Sequence, residues 1–179
     1  MGISNALAGG IMLMAMVYVI LGIPGLVDTS AGVSGAATRR YEADNDALKT
    51  SINITALSLV SGNTVISANI TNGGNTKLWE YSKFTVIATY DANVTNSRVR
   101  TTEEVTYGGI SSSTPAAGRW VLHAFDPSTD PYVDPQVVNP GEQFTIRIKP
   151  QLPIYSSNPS VHVAVSTPNG VVATRGGAF

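Results

Sequence analysis

Three Asp-Pro pairs, spaced four residues apart, are the most regular arrangement of chemically active side chains in the sequence. The carboxylates are those of Asp126, Asp130 and Asp134, and a proline follows each of them. Repeated carboxylates in a loop offer oxygen ligands of the kind that Ca²⁺ accepts. Asp and Pro also both favour turns, and the spacing does not match the ligand pattern of an EF-hand. The pairs therefore indicate a chain of turns, and a calcium site is the alternative.

The two histidines are the candidates for acid–base chemistry. His162 alternates with the valines of the segment 160–165, and His123 alternates with apolar residues of the segment 119–125. Both are predicted to be ordinary strand residues, and neither stands beside a Ser, Asp or Glu arrangement that suggests a catalytic triad. The sequence has no cysteine, which removes thiolate catalysis, disulfides and the common zinc sites. We therefore predict no enzyme activity, no cofactor and no resident metal.

Three sequons for N-glycosylation lie in the middle part of the chain. They are Asn53-Ile54-Thr55, Asn69-Ile70-Thr71 and Asn93-Val94-Thr95, and proline blocks none of them. A single sequon is a common accident in a chain rich in Ser, Thr and Asn. Three of them favour a domain on the external side of a membrane, with Asn53, Asn69 and Asn93 as candidate glycan sites.

The charge composition excludes nucleic acid as a partner. Lys and Arg number 11 against 12 Asp and Glu, which leaves a formal net charge of −1. Charged residues make up 13% of the chain, about half the share that is usual in soluble proteins. A protein that follows a phosphate backbone needs clustered cations, and the only tight pair in the sequence is Arg39-Arg40.

The N-terminal segment predicts a transmembrane helix over residues 1–27. No ionisable side chain occurs before Asp28, and the apolar stretch 6–27 would form a helix about 33 Å long, close to the thickness of a bilayer core. Pro24 is expected to bend or end this helix. The alternatives are a cleaved signal peptide, for which the run is too long and lacks a basic start, and a helix in a filament core.

Small residues recur along the start of this helix. Gly2, Ala6 and Gly10 follow the small-xxx-small spacing that lets membrane helices approach closely, so they are candidates for a helix–helix contact. The alternative is the general frequency of Gly and Ala in membrane helices. The segment 28–49 that follows is interpreted as a helical stalk, with a flexible tether as the alternative. Its three cations weakly favour a cytoplasmic C-terminus by the positive-inside rule, against the sequons.

After Leu48 the hydrophobic period changes from helical to alternating, which predicts strands. The predicted strands are 52–59, 65–70, 84–90, 98–107, 119–125, 143–149, 160–167 and 170–174. Seven or eight short strands between turns are typical of an immunoglobulin-like sandwich. The predicted fold is thus mainly β: one N-terminal transmembrane helix (1–27), a stalk (28–49) and an external antiparallel β-sandwich (50–179).

Three stretches together resemble archaeal flagellar accessory proteins of the FlaF/FlaG type. Gly73–Trp79 precedes the strand 84–90, Val138–Glu142 leads into 144–148, and Val163–Val171 lies near the C-terminus. The resemblance implies a single-pass protein of the archaeal cytoplasmic membrane with its sandwich beneath the S-layer. It implies a stator-like structural role in the archaellum, with S-layer protein, other archaellum components and membrane lipid as partners. Self-association is a further expectation, and the family has no catalytic residues to carry over.

Two other functions fit the same plan. Archaellins and archaeal type IV pilins also join a hydrophobic helix to a β-domain, which makes an extracellular filament subunit the main alternative. Those proteins carry a basic leader before the helix, whereas only Met1 precedes Gly2 here. A surface adhesin or substrate-binding module comes third, and it would need a ligand pocket.

Overall fold

The computed structural model describes residues 2–62, 64–129 and 136–179. The chain divides into two compact units, Met1–Asp44 and Asn45–Phe179. The first unit is helical. The second contains the last turn of the helix and the β-domain.

The helix α1 spans Gly2–Lys49 without a break. The segment predicted as a stalk is therefore helical. Pro24 was expected to bend or end the helix, and the helix does not end there. Side chains of α1 are described for residues 3–4, 7–21 and 32–49, and nearly all of them are exposed, including Ile11, Met14 and Tyr18. Within the described residues, the structure contains no helix that combines the length and the apolar character needed to cross a membrane.

The described residues of the β-domain form eight strands, at the positions that the alternation predicted. They are β1 (Ile52–Val60), β2 (Val65–Asn72), β3 (Thr85–Val94), β4 (Ser97–Ile110), β5 (Arg119–Phe125), β6 (Gln143–Lys149), β7 (Ser160–Ser166) and β8 (Val172–Ala178). Their hydrogen-bonded order is β1-β2-β6-β5-β4-β3-β7-β8. This order gives two four-stranded layers, β1-β2-β6-β5 and β4-β3-β7-β8, arranged as in an immunoglobulin-like sandwich.

β4 belongs to both layers. Its first part pairs antiparallel with β3, from Val94↔Ser97 to Val86↔Val105, and its last part pairs parallel with β5, beginning at Thr106↔Arg119. Gly108 and Gly109 lie at the change of register, and Gly109 has a φ of +99°, which a side chain would disfavour. The predicted antiparallel sandwich therefore contains one parallel pairing, which alternation along single strands does not reveal.

The core lies between the layers and follows the period-two pattern of the strands. Trp120, Tyr90 and Phe144 are the largest fully buried side chains. In β5 the expected alternation of His123 with its neighbours is wrong, because the pairing with β6 shifts register between Leu122 and Ala124. This bulge leaves His123 half-buried and Ala124 exposed. His162 on β7 is exposed opposite buried valines, as predicted.

An ionic network around one buried carboxylate holds the far end of the domain, where β3 turns into β4. Asp91 is 5% exposed and accepts hydrogen bonds from Arg98, from Arg100 and from the Ser160 N–H. The two arginines also donate to the carbonyl oxygens of Asn158 (3.2 Å) and Ser160 (2.9 Å). One carboxylate thus ties the β3–β4 hairpin to the connection between β6 and β7.

Candidate functional site at the helix end of the β-domain

The three stretches that carry the family resemblance converge at one end of the β-domain. We call this the helix end, because α1 finishes here and β1 begins. The stretch 73–79 follows β2, the stretch 138–142 precedes β6, and the segment 167–170 joins β7 to β8. The antiparallel topology brings these connections to the same edge of the sandwich, although they are far apart in sequence.

The loop after β2 caps the C-terminus of the helix. The Asn75 N–H donates to the Lys49 carbonyl at 2.7 Å, and the N–H groups of Gly73 and Gly74 both donate to the Ser51 carbonyl, at 2.9 and 3.1 Å. The last carbonyls of a helix have no partner within the helix, so the bond to Lys49 satisfies a group that would otherwise need water. A Cβ on Gly74 would lie 2.5 Å from both Lys49 O and Ser51 N, so only glycine permits this approach.

Thr50 completes the connection between the end of α1 and the loops. We call this connection, residues 46–51 with the loop after β2, the helix joint. The Thr50 N–H donates to the carbonyls of Asp46 and Ala47, and its hydroxyl donates to the Asp46 carbonyl at 2.7 Å. The Asn169 side-chain amide then donates to the Thr50 hydroxyl oxygen at 2.9 Å. The last turn of the helix is therefore bonded to the loop after β2 and to the loop between β7 and β8.

A fully buried amide organises the loops around this joint. The Asn72 Nδ2 donates to the carbonyls of Thr76 (2.8 Å) and Val138 (3.2 Å), while its Oδ1 accepts from the Gly74 N–H (3.1 Å). The buried Glu142 accepts from both the N–H (2.6 Å) and the side-chain amide (2.9 Å) of Asn139. Buried polar groups with complete hydrogen bonding fix one loop conformation, because every alternative leaves a donor or acceptor unpaired.

Aromatic side chains of the core pack against the same loops. Tyr81 is buried against Phe84, Phe125 and Phe144, and its hydroxyl donates to the Leu78 carbonyl at 2.9 Å. Burial raises the pKa of Tyr81 well above its usual value, so the hydroxyl stays a neutral donor.

Trp79 stands out at this end because its side chain is 64% exposed. It borders a cleft of about 200 Å³ whose other walls include Asp46, Phe84 and the segment 167–169. An exposed tryptophan beside a cleft is a typical anchor for a protein partner, since it offers a large rigid surface at little entropic cost. The arrangement is suited to holding a helix and contacting a protein.

The predicted site residues lie elsewhere and do not come together. Asn53 is exposed on β1, Asn69 is half-buried on β2, and Asn93 is half-buried on β3 near the far end. Gly10 has open space around its Cβ position, and the side-chain positions of Gly2 and Ala6 lie outside the described residues, so the helix contact stays a prediction.

Of the three Asp-Pro carboxylates, the structure describes that of Asp126. Its Oδ1 accepts from the hydroxyl (2.7 Å) and the N–H (2.9 Å) of Ser128, bonds that lower the pKa of Asp126 and form a turn. Asp130 and Asp134 lie outside the described residues. Among residues 2–62, 64–129 and 136–179, no group of three or more His, Asp or Glu side chains is arranged to hold a metal ion.

Sequence reasoning missed Gly74, Asn72 and Thr50 as the residues that build the helix joint. The consecutive glycines after a strand, followed by Asn75, were the available signal, since such pairs allow a close backbone approach. The residue that the glycines approach is more than twenty positions earlier in the sequence, and local pattern does not identify it.

The β-domain is similar to a known protein family. A family model described as "Conserved flagellar protein F, immunoglobulin-like domain" matches residues 48–177, which begin at the helix joint. Among curated proteins, none matches the chain.

Three solved structures resemble the fold. The archaellum periplasmic stator protein complex FlaF and FlaG from Sulfolobus acidocaldarius is 20% identical, over 70% of this chain and 87% of that one, with a TM-score of 0.47. The archaellum periplasmic stator protein FlaG from the same organism is 20% identical, over 72% and 99%, with a TM-score of 0.46. The archaeal flagellum of Methanospirillum hungatei strain JF1 is 14% identical, over 95% and 90%, with a TM-score of 0.54. At these identities none of the three similarities extends beyond the fold.

Proposed function

The chain belongs to the family of conserved flagellar protein F and is a structural component of the archaellum, and we propose that within it the chain is a membrane-anchored, stator-like linker to the S-layer. In this role α1 holds the protein in the cytoplasmic membrane, and the sandwich lies on the external side and binds S-layer protein. A stator must join two fixed layers while a filament turns beside them.

The observation that carries this proposal is the helix joint. A linker that resists movement needs a stiff connection between its anchor and its binding domain. Here the last turn of α1 lies within the compact β-unit, and Lys49 and Ser51 accept backbone hydrogen bonds from the loop after β2. A force that reaches Lys49 is therefore passed to β1 and β2 together, without a free hinge at this point.

The anchoring part of the proposal rests on the sequence of α1. No ionisable residue occurs before Asp28, and the described apolar side chains of residues 7–21 are exposed around the helix. A helix that is apolar on every face is stable when lipid or other helices cover it. The three sequons support an external location of the β-domain.

A filament subunit is the second candidate function, and one observation favours it. The similarity to the Methanospirillum hungatei flagellum extends over 95% of this chain and so includes α1. In a filament, neighbouring helices of the same protein would cover the apolar surface instead of lipid.

Two measurements on the native full-length chain test the linker proposal. The first is co-sedimentation with isolated S-layer lattice, compared with an unrelated glycosylated β-sandwich. The second is fractionation of cells into membranes and sheared filaments. Specific sedimentation and recovery with membranes support the linker. Enrichment in sheared filaments, with sedimentation no better than that of the control protein, would replace it with the filament subunit.

A further inference from the structure

Within the described residues, the four strands of the layer β1-β2-β6-β5 carry positive charge and no negative charge. None of its four strands contains an Asp or a Glu. Phe144, Ile146 and Ile148 are buried, so the alternation of β6 turns Arg147 and Lys149 outward. Arg119 begins β5 and is exposed on the same face. We call Arg119, Arg147 and Lys149 the cationic strip.

The register of β5 and β6 places these charges against one another. Arg119 lies directly opposite Lys149, and Arg147 lies two residues before Lys149 on the same face. Like charges directly opposite each other in a sheet destabilise it. The ion pairs found among the described residues do not include any member of the strip.

Two buried nitrogen atoms on β5 and β6 also lack hydrogen-bond partners. The Nε of Arg147 and the Nδ1 of His123 are both buried without a hydrogen-bond partner. Among the residues that the structure describes, the carboxylates next to these strands are Asp126 after β5 and Glu142 before β6, and both lie at the strand ends opposite Arg119 and Lys149. These carboxylates are bonded to Ser128 and Asn139 respectively. The other layer differs, because its Arg98 and Arg100 both form ion pairs with the buried carboxylate of Asp91.

We propose that the cationic strip binds a cluster of carboxylates on the surface of a partner protein. This inference rests on the proposed function, since it names the chemistry of the surface that the domain recognises. The two guanidinium groups can each bind a carboxylate through two parallel hydrogen bonds, and Lys149 adds a point charge. Acidic side chains of the partner would relieve the repulsion between Arg119 and Lys149.

A protein fits this face better than a lipid surface or a nucleic acid. Proteins that rest on a membrane insert large apolar side chains beside their cations. On β2, β5 and β6, all large hydrophobic side chains are buried or half-buried. Nucleic-acid binding requires a wider field of positive charge than three cations in a chain of net charge −1 can supply.

Binding of the full-length chain, in non-ionic detergent, to immobilised poly-L-glutamate tests the proposal. The variant Arg119→Gln with Lys149→Gln should bind roughly tenfold more weakly, as expected for the loss of a few surface ion pairs. Arg147→Gln should weaken binding further. The matched control is Lys83→Gln with Arg175→Gln, which removes the same charge outside this layer and should bind nearly as the wild type does. Thermal unfolding should show no loss of stability in the strip variant, because the substitution removes a repulsion.

The outcomes separate the strip from the proposed function. Equal weakening in the control variant, binding to phosphatidylglycerol vesicles but not to poly-L-glutamate, or no binding at all would each overturn the cationic strip. If the wild type and the strip variant sediment equally with S-layer lattice, the linker stands and the strip is wrong. If the wild type binds poly-L-glutamate through the strip but does not sediment with the lattice, the strip stands and the linker fails.

Discussion

Gly74 approaches the end of the helix so closely that a Cβ atom on it would lie 2.5 Å from the Lys49 carbonyl oxygen. This distance is shorter than any ordinary contact between carbon and oxygen. The missing side chain lets the next residue, Asn75, donate its N–H to the same carbonyl at 2.7 Å. The connection between the end of the helix and the sandwich therefore requires a residue without a side chain at position 74.

Gly74→Ala should destabilise the β-domain by about 1–3 kcal/mol, the range found when an atom is forced into a packed site. Thermal unfolding of the full-length chain in detergent measures the effect. Gly73→Ala is the matched control, because a Cβ there would meet the Ser51 hydroxyl at 3.5 Å, an ordinary contact. Equal unfolding temperatures for the two variants would show that the joint tolerates a wider separation.

Asp91 should make the domain sensitive to acid. Burial by itself raises the pKa of Asp91, but hydrogen bonds from Ser160, Arg98 and Arg100 outweigh it and hold the pKa below its usual value. In the unfolded chain an Asp titrates near pH 3.9. The stabilisation is thus complete above about pH 4 and is lost as the pH falls through the lower folded pKa.

Asp91→Asn should lower the unfolding temperature at neutral pH. It should also remove the part of the stability loss in acid that protonation of Asp91 causes. Glu104→Gln, at an exposed carboxylate of the same layer, serves as the control. An unfolding temperature of Asp91→Asn that falls with acid as steeply as that of the wild type would show that other groups cause the acid sensitivity.

Trp79→Ala should weaken partner binding without affecting stability. The side chain is 64% exposed, so its removal should change the free energy of unfolding by less than about 0.5 kcal/mol. A tryptophan that anchors an interface contributes about 2 kcal/mol or more. Co-sedimentation with S-layer lattice is the measurement, and Val172→Ala, at another exposed apolar residue, is the control. Undiminished sedimentation of the Trp79 variant would remove the helix end from the interface.

Met14→Arg should reduce membrane retention of the native chain. An arginine at the centre of a membrane helix costs about 2.5–3.5 kcal/mol on insertion scales. Val33→Arg places the same charge on α1 beyond the predicted span and should leave retention unchanged. Carbonate extraction of membranes distinguishes the two variants, and equal retention would contradict a spanning helix.

Asn53 should be the sequon that carries a glycan in the native protein. Its side chain is exposed, whereas the Asn69 Oδ1 accepts a hydrogen bond from Thr145 at 3.0 Å and the Asn93 Oδ1 is buried. Intact mass should fall by one glycan in Asn53→Gln and stay unchanged in Asn69→Gln and Asn93→Gln. A glycan found at Asn69 or Asn93 would show that attachment precedes folding.

The β-domain was predictable because its strands have one face toward the core. Val161, Val163 and Val165 are buried while His162 is exposed, so period two alone reports the position of β7. The same reasoning failed for β5, where Trp120, Val121 and Leu122 are all buried. There Gly108 of β4 lies close to the side chain of Val121, since a Cβ on Gly108 would be 3.2 Å from Val121 Cγ1.

The charge pattern shows a different limit of sequence reasoning. A net charge of −1 indicates a nearly neutral protein, yet folding sorts Arg119, Arg147 and Lys149 onto one face. Arg119 and Lys149 are thirty residues apart and become neighbours through the register of β5 and β6. Composition sums over the whole surface, so it cannot reveal a local excess of one sign.

The passage of β4 from one layer to the other determines how the domain should fail under strain. Since β4 pairs with β3 along its first part and with β5 along its last, neither layer can detach without breaking hydrogen bonds of the other. Partly opened forms are therefore costly, and unfolding should be cooperative, with one transition for the whole sandwich. A tether of this design keeps its full shape up to the point of rupture, instead of lengthening gradually.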